Sequence, residues 1–157
     1  MRKTKQNIAV RIVCQSFCDA IDTPQLRRIV RCACKQLAVT GVIVQVSLVD
    51  DAAIRDVHKQ FFNTARTTDV ISFDLTDAGA DMRVFDIIIN TDQARRQADK
   101  RGHSVAAETA LYLVHGLLHQ LGFDDMDDLA AKRMHRQEDA ILKDAGFGEV
   151  YYSSGKG

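Results

Sequence analysis

The stretch Ser104-Val-Ala-Ala-Glu-Thr-Ala-Leu-Tyr-Leu-Val-His-Gly-Leu-Leu-His-Gln-Leu-Gly122 decides how the chain folds. Val105, Ala106, Ala110, Leu111, Leu113, Val114, Leu117, Leu118 and Leu121 spread around the whole circumference of a helix, leaving no broad polar face. A helix of that kind is the buried centre of a domain, with other elements packed around it. Gly102 breaks the chain before it, and Gly122 is placed to take the left-handed conformation that stops it. The apolar run is too short for a membrane span and is interrupted by Glu108, His115, His119 and Gln120.

The elements that must cover this helix are legible on either side. Ile8, Val10 and Ile12 alternate as in a first strand. Asp22-Thr-Pro-Gln opens a helix, with Pro24 in the first turn and Gln25 spaced to close a capping box on Asp22. Leu26, Ile29, Val30, Ala33 and Leu37 recur at helical spacing against a basic face of Arg27, Arg31 and Lys35, up to Gly41. Val42, Val44, Val46 and Leu48 form one face of a second strand, and Asp50-Asp51 cap a short helix running to about Phe61. Val70-Ile-Ser-Phe and Val84-Phe-Asp-Ile-Ile-Ile are two β-rich runs close enough to pair as a hairpin beside the first two strands. Helices follow over Thr91 to about Lys100, Ser104 to Leu121 and about Asp127 to Asp144; residues 149–157 read as a frayed tail. The expected fold is α+β: one domain over residues 1–157, with a small mixed sheet of about four strands and about five helices.

The 157 residues suit one domain with a core of its own, and 46% hydrophobic residues exclude disorder along the whole chain. Twenty-one basic residues balance twenty-one acidic ones, so bulk charge gives no reason for wrapping nucleic acid. Residues 1–41 nevertheless carry a net +6 and the remainder −6, which permits an anionic partner on one face. The basic N-terminus lacks the apolar core and small-residue cleavage site of a secretory signal. Cys14, Cys18, Cys32 and Cys34 lack the C-x2-C spacing of structural zinc and read as reduced, mostly buried thiols of a cytoplasmic protein.

Within the central helix, His115 and His119 are four residues apart, on one face and about 6 Å apart along the axis. Two imidazoles buried there without partners would cost roughly 2–7 kcal/mol per unsatisfied group on apolar transfer scales, a penalty that a shared metal ion or a cleft removes. Beyond Gly122, Phe123-Asp-Asp-Met-Asp-Asp brings four carboxylates (Asp124, Asp125, Asp127 and Asp128) to the end of the same helix. Two histidines, one carboxylate and an open fourth position make a catalytic zinc site; Asp127 or Asp124 also suits the N-cap of the last helix. A zinc protease of the H-E-x-x-H type needs a glutamate directly after the first histidine, and Gly116 stands there, so peptide hydrolysis by that scheme is disfavoured. His103 and His135 read as surface residues, Met126 as a packing residue and Asp86 as a strand anchor or outer support.

His115-Gly-Leu-Leu-His-Gln-Leu-Gly-Phe-Asp-Asp125 resembles the H-G-x-L-H-L-x-G-Y-D-H signature of the YbeY-type rRNA maturation factors, which are bacterial metal-dependent endoribonucleases. Thr68-Asp-Val-Ile-Ser-Phe73 is similar to that family's P-T-D-V-L-S-F, and Phe85-Asp-Ile-Ile-Ile to its G-D-I-x-I. Glu108, Met134, Glu138 and Gly146 also fall in place, so the resemblance runs from about residue 8 to 147.

The resemblance implies one Zn²⁺ per chain held by His115, His119 and Asp125, with Asp125 where the family has a third histidine. An Asp oxygen ligates zinc at ~2.0–2.2 Å, so coordination survives, while the added charge shifts preference toward harder ions such as Mn²⁺. Phe62 stands at the family's arginine; Arg66, in the same loop, is the candidate catalytic replacement, and Thr68, Asp69 and Ser72 are cleft residues. His58 replaces an asparagine and is left without a role. The implied function is single-strand-specific endoribonuclease activity in maturing the 3′ end of small-subunit (16S) rRNA and in ribosome quality control. Its partners would be single-stranded rRNA and the small ribosomal subunit, in the cytoplasm, with no membrane and no DNA. Arg27, Arg28, Arg31 and Lys35 are then candidates for RNA phosphate contacts. The alternatives are an RNA- or ribosome-binding maturation factor with weak or no catalysis, and a metal-dependent hydrolase of another substrate.

Overall fold

A computed structural model describes residues 7–15 and 21–147. Along the chain run β1 (Ile8–Cys14), α1 (Thr23–Gln36), β2 (Val42–Val49), α2 (Asp51–Phe62), β3 (Val70–Asp74), β4 (Arg83–Asn90), α3 (Thr91–Arg101), α4 (Val105–Gln120) and α5 (Asp128–Asp144). The strands form one sheet in the order β1-β2-β4-β3, with β3 antiparallel to β4 and the other neighbours parallel. The α+β expectation of four strands and five helices is met among the described residues.

Register explains the two faces. Val10 pairs with Val44 and Val44 with Phe85, while Ile87 pairs with Val46 and Ser72. These residues point one way, and α1, α4 and α5 close over them in the main core. The alternate residues point the other way, where Ile54 of α2 packs on Val49, Ile71 and Ile88. Asp86 lies on that second face, paired in register with Phe73 and Gln45, so it does not stand behind the His115–His119 face; its burial raises its pKa. Phe85 is completely buried in the main core.

The central helix is as buried as its composition requires: eleven of its sixteen residues are inaccessible, Glu108 and Thr109 among them. Ser104 caps its start by accepting from the Ala107 N–H. At its end Gly122 has φ +98°, and the Phe123 N–H returns to the Leu118 carbonyl at 3.0 Å, the bond that folds the next segment back against the helix. Asp50 and Asp127 cap α2 and α5 through the N–H groups of Ala53 and Ala130. Asp22 occupies the N-cap of α1 without a side-chain hydrogen bond, so the expected box with Gln25 does not form; Pro24 alone pre-sets that turn.

Asn90, fully buried, ties three segments together. Its Nδ2 donates to Asp51 Oδ1 at 2.7 Å and to the Thr68 carbonyl at 3.1 Å, and its Oδ1 accepts from the Asp92 and Gln93 N–H groups at the start of α3. Asp51 is also gripped by both Arg96 Nη atoms at 2.8 Å, which holds its carboxyl down at about 2. This knot fixes the Thr68–Asp69 loop beside α3 and α4.

Cys32 and Cys34 are free thiols, and burial pushes Cys34 up to about 11. Cys14 departs from the expectation of four reduced, mostly buried thiols: it is exposed at the end of β1, where burial does not sequester it, and is disulfide-bonded. Cys18 and the 149–157 tail lie outside the described residues. Among the described residues no helix is long and apolar enough to cross a membrane.

Candidate metal centre

His115 and His119 leave α4 on the same face, with Nε2 atoms 3.1 Å apart and rings nearly perpendicular at 86°. Two nitrogens bound at ~2.0–2.1 Å to one tetrahedral ion sit about 3.3 Å apart, so the pair is already spaced for a shared cation. The Gly122 turn then carries Asp125 back toward them, its Oδ2 3.9 Å from His115 Nε2. One ligand atom from each of the three lies within 4.8 Å of the other two, and no other His, Cys, Asp or Glu cluster among the described residues does this. The neighbouring acids are engaged elsewhere, Asp124 with the Met126 N–H and Asp127 as the α5 cap.

The donor set fits a divalent metal because a fourth residue prepares it. Glu138 of α5, 1% exposed, accepts a hydrogen bond from His115 Nδ1 at 2.8 Å. That bond holds the proton on Nδ1 and leaves the Nε2 lone pair facing His119 and Asp125, the orienting contact that ligating histidines use. Burial disfavours the imidazolium of His115, but Glu138, Asp69 and Asp125 outweigh it and hold its pKa above the ordinary value. Protonation of His115 competes with metal binding, so occupancy falls as pH drops.

Gly116 lets the helix come this close to the sheet. A Cβ there would sit 3.0 Å from Val70 Cγ2 and 3.1 Å from Ile87 Cγ2, both on stiff β-branched side chains. Gly116→Ala gains about 1 kcal/mol of helix propensity and loses about 1–3 kcal/mol to overpacking. Its thermal midpoint should stay near the parent's or drop modestly. Metal affinity should fall about 10-fold as His115 is pushed from its neighbours, on the scale of other changes behind a ligand, read by chelator competition.

A cavity of about 380 Å³ opens beside His115, lined by Asp69, Gln93, Gln97, Arg101, Leu111, Tyr112, His135 and Glu138. Of the anticipated cleft residues, Asp69 is on this wall, its Oδ1 accepting from the Val70 N–H at 2.7 Å. Thr68 and Ser72 line a separate depression by α2, and Ser72 Oγ accepts from Gln120 Nε2 at 2.8 Å. Arg66 is exposed and does not line the cavity; Arg101 does, with Nη1 3.1 Å from the buried Glu108 carboxylate. Arg27 donates to the Val10 carbonyl, whereas Arg28, Arg31 and Lys35 line a groove on α1 that includes none of the metal-binding residues. His103 is bonded to Glu108 and largely covered, and His135 is on the cavity wall, so neither is the surface residue anticipated; Met126, 89% exposed, packs on little. Burial, reinforced by Glu108 and Asp69, pushes the Tyr112 phenol far above its ordinary pKa.

The fold and site together define a class: an α+β domain with a two-histidine, one-carboxylate site for a divalent metal on its central helix. A family model described as "Endoribonuclease YbeY" matches residues 14–146. The chain is 38% identical over 132 residues to the endoribonuclease YbeY of Moorella thermoacetica, covering 77% of this chain and 85% of the relative. It is 35% identical over 136 residues to that of Macrococcus caseolyticus, covering 82% and 88%. The solution structure of TM1509 from Thermotoga maritima superposes with a TM-score of 0.60 at 21% identity, over 87% of this chain and 88% of that one, which supports the fold. The chain belongs to the endoribonuclease YbeY family.

Proposed function

We propose that the protein is a single-strand-specific, metal-dependent endoribonuclease acting on the 3′ end of small-subunit rRNA in the cytoplasm, with one Zn²⁺ per chain. The observation that carries this reading is the convergence of His115, His119 and Asp125, with Glu138 fixing the His115 tautomer. The relatives' shared description as endoribonucleases supplies the substrate class.

When bound there, a zinc ion supplies Lewis acidity toward a phosphoryl oxygen and lowers the pKa of water. The chain's own residues do the rest. His115 and His119 present Nε2 lone pairs, and Asp125 completes the set from the open side. Tyr112 stays protonated, its hydroxyl turned to the buried Glu108 carboxylate, and contributes its ring to the cavity wall. Arg101, anchored through Nη1 to the Glu108 carboxylate, turns its remaining N–H groups to the cavity for a substrate phosphate, in place of the exposed Arg66; Asp69 and Gln93 furnish polar partners for the ribose. Arg28, Arg31 and Lys35 form a separate basic groove by β1, a second place for RNA phosphate contacts whose contribution falls as salt rises.

The test is cleavage of single-stranded and duplex RNA of one sequence by the metal-loaded protein. Cleavage of the single strand alone, abolished by chelation and restored by Zn²⁺, is expected. Equal cleavage of both, or none at full metal occupancy, contradicts the proposal. Asp125→Ala should weaken zinc binding by at least about 10-fold, the lower end of what outer-shell changes cost, whereas Asp125→His should retain it. Full zinc retention in Asp125→Ala, by elemental analysis after dialysis against a chelator, would move the third ligand elsewhere.

A further inference from the structure

At the end of α2, two aromatic rings are left in solvent: Phe61 is 58% exposed and Phe62 52%. They are held in place from behind. Phe73 of β3 lies 4.7 Å from Phe61 and 6.2 Å from Phe62, the latter pair within 18° of parallel. Phe62 also meets the His58 ring at a tilt of 38°, with centroids 4.9 Å apart, and the His58 ring is itself tied to the Thr64 carbonyl through Nδ1 at 2.5 Å. A braced ring loses little freedom when a flat partner settles on it.

Beside Phe62 and His58 is an open depression of about 230 Å³, completed by Thr68, Val70, Ile71 and Ser72. None of these is a lysine or arginine, so the depression offers a π face and hydroxyls instead of a phosphate clamp. Its β3 wall also abuts the metal centre. Val70 and Ser72 lie 3.0 and 3.7 Å from where a Gly116 Cβ would be, and Ser72 bonds Gln120. Gly116 and Gln120 are the residues directly after His115 and His119. β3 is the edge strand of the sheet, so the depression and the metal ligands flank one strand with an open side.

We propose that Phe62, braced by Phe73 and His58, is a stacking subsite for an unpaired nucleobase of the RNA strand whose phosphate is at the metal centre. The inference rests on the ribonuclease reading above and adds to it a contact to the base. Stacking is sequence-tolerant because every base has a π face, and it requires the base to be free of a duplex. It therefore gives single-strand preference a physical cause at a named residue.

The test compares the metal-loaded parent with Phe62→Ala and Phe62→Trp. It reads KM and kcat for an oligoadenylate, and the inhibition constant of an abasic ribose-phosphate oligomer of the same length. Phe62→Ala is expected to raise KM about 10-fold, within the usual worth of one stacked base, with the loss falling in KM rather than kcat. Phe62→Trp should restore KM, and the abasic inhibitor should bind all three proteins alike. Unchanged KM in Phe62→Ala overturns the subsite and leaves the exposed rings as a protein contact. A parallel loss of abasic-oligomer binding also overturns it, because the ring would then be shaping the backbone path. Failure of the ribonuclease reading is separable: the parent itself would then cleave no RNA at full metal occupancy. Phe62 is exposed, so Phe62→Ala should fold, as its thermal midpoint and metal content will show.

Discussion

His119→Ala is expected to release the metal and to lower RNA cleavage by at least about 10³-fold, well beyond the 10–100-fold typical of changes in outer support. His119 is the better ligand to remove than His115. His115 is bonded to the buried Glu138, so deleting it leaves a carboxylate without its partner in the core and confounds loss of metal with loss of stability. The His119 contact recorded in the structure is to the other imidazole, with no buried acid behind it. The midpoint of thermal unfolding measured without metal should therefore be close to the parent's. Added zinc should not restore activity, because the remaining His115 and Asp125 are 3.9 Å apart with no second imidazole to complete the set. Metal content and cleavage rate measured on one preparation decide this.

The second large effect belongs to Glu138. Glu138→Gln keeps the shape and an oxygen able to accept from His115 Nδ1, but it removes the charge that raises the basicity of Nε2. Zinc affinity should drop about 10–100-fold. Unlike in His119→Ala, excess zinc should recover most of the cleavage, since all three ligands are still present. Glu138→Leu should go further, because the Nδ1–H is then buried without an acceptor and costs about 1–3 kcal/mol. A Glu138→Gln protein whose zinc affinity matches the parent's would show that the contact is structural alone. The pair of outcomes separates a ligand from the residue that positions it.

What could be read in advance followed the range of the interactions involved. The central helix was legible because its apolar residues cover the full circumference, and the hairpin because two β-rich runs lie close in sequence. His115 and His119 were legible because one helical turn fixes their geometry. Asp125 needed more: four acids share a six-residue segment, and only the Gly122 turn and the α5 cap decide which faces the histidines. Glu138 acts on a histidine 23 residues away. Its spacing in sequence carries no sign of that role, which comes from the packing of α5 on α4. Arg101 reaches the cavity wall for the same reason: it ends a helix whose packing, rather than its periodicity, turns it there, while Arg66 was the candidate only through sharing a loop with Phe62. The missing Asp22 cap is a local failure, since spacing permits a capping box without requiring the side chain to close it.

The account stands on His115, His119 and Asp125 meeting at one ion. X-ray absorption at the metal edge of the zinc-loaded protein measures that directly. Two imidazole nitrogens and a carboxylate oxygen at ~2.0–2.2 Å are predicted, in a shell with room for one further light ligand. A shell with one imidazole or none, or with sulfur at ~2.3 Å, would contradict it.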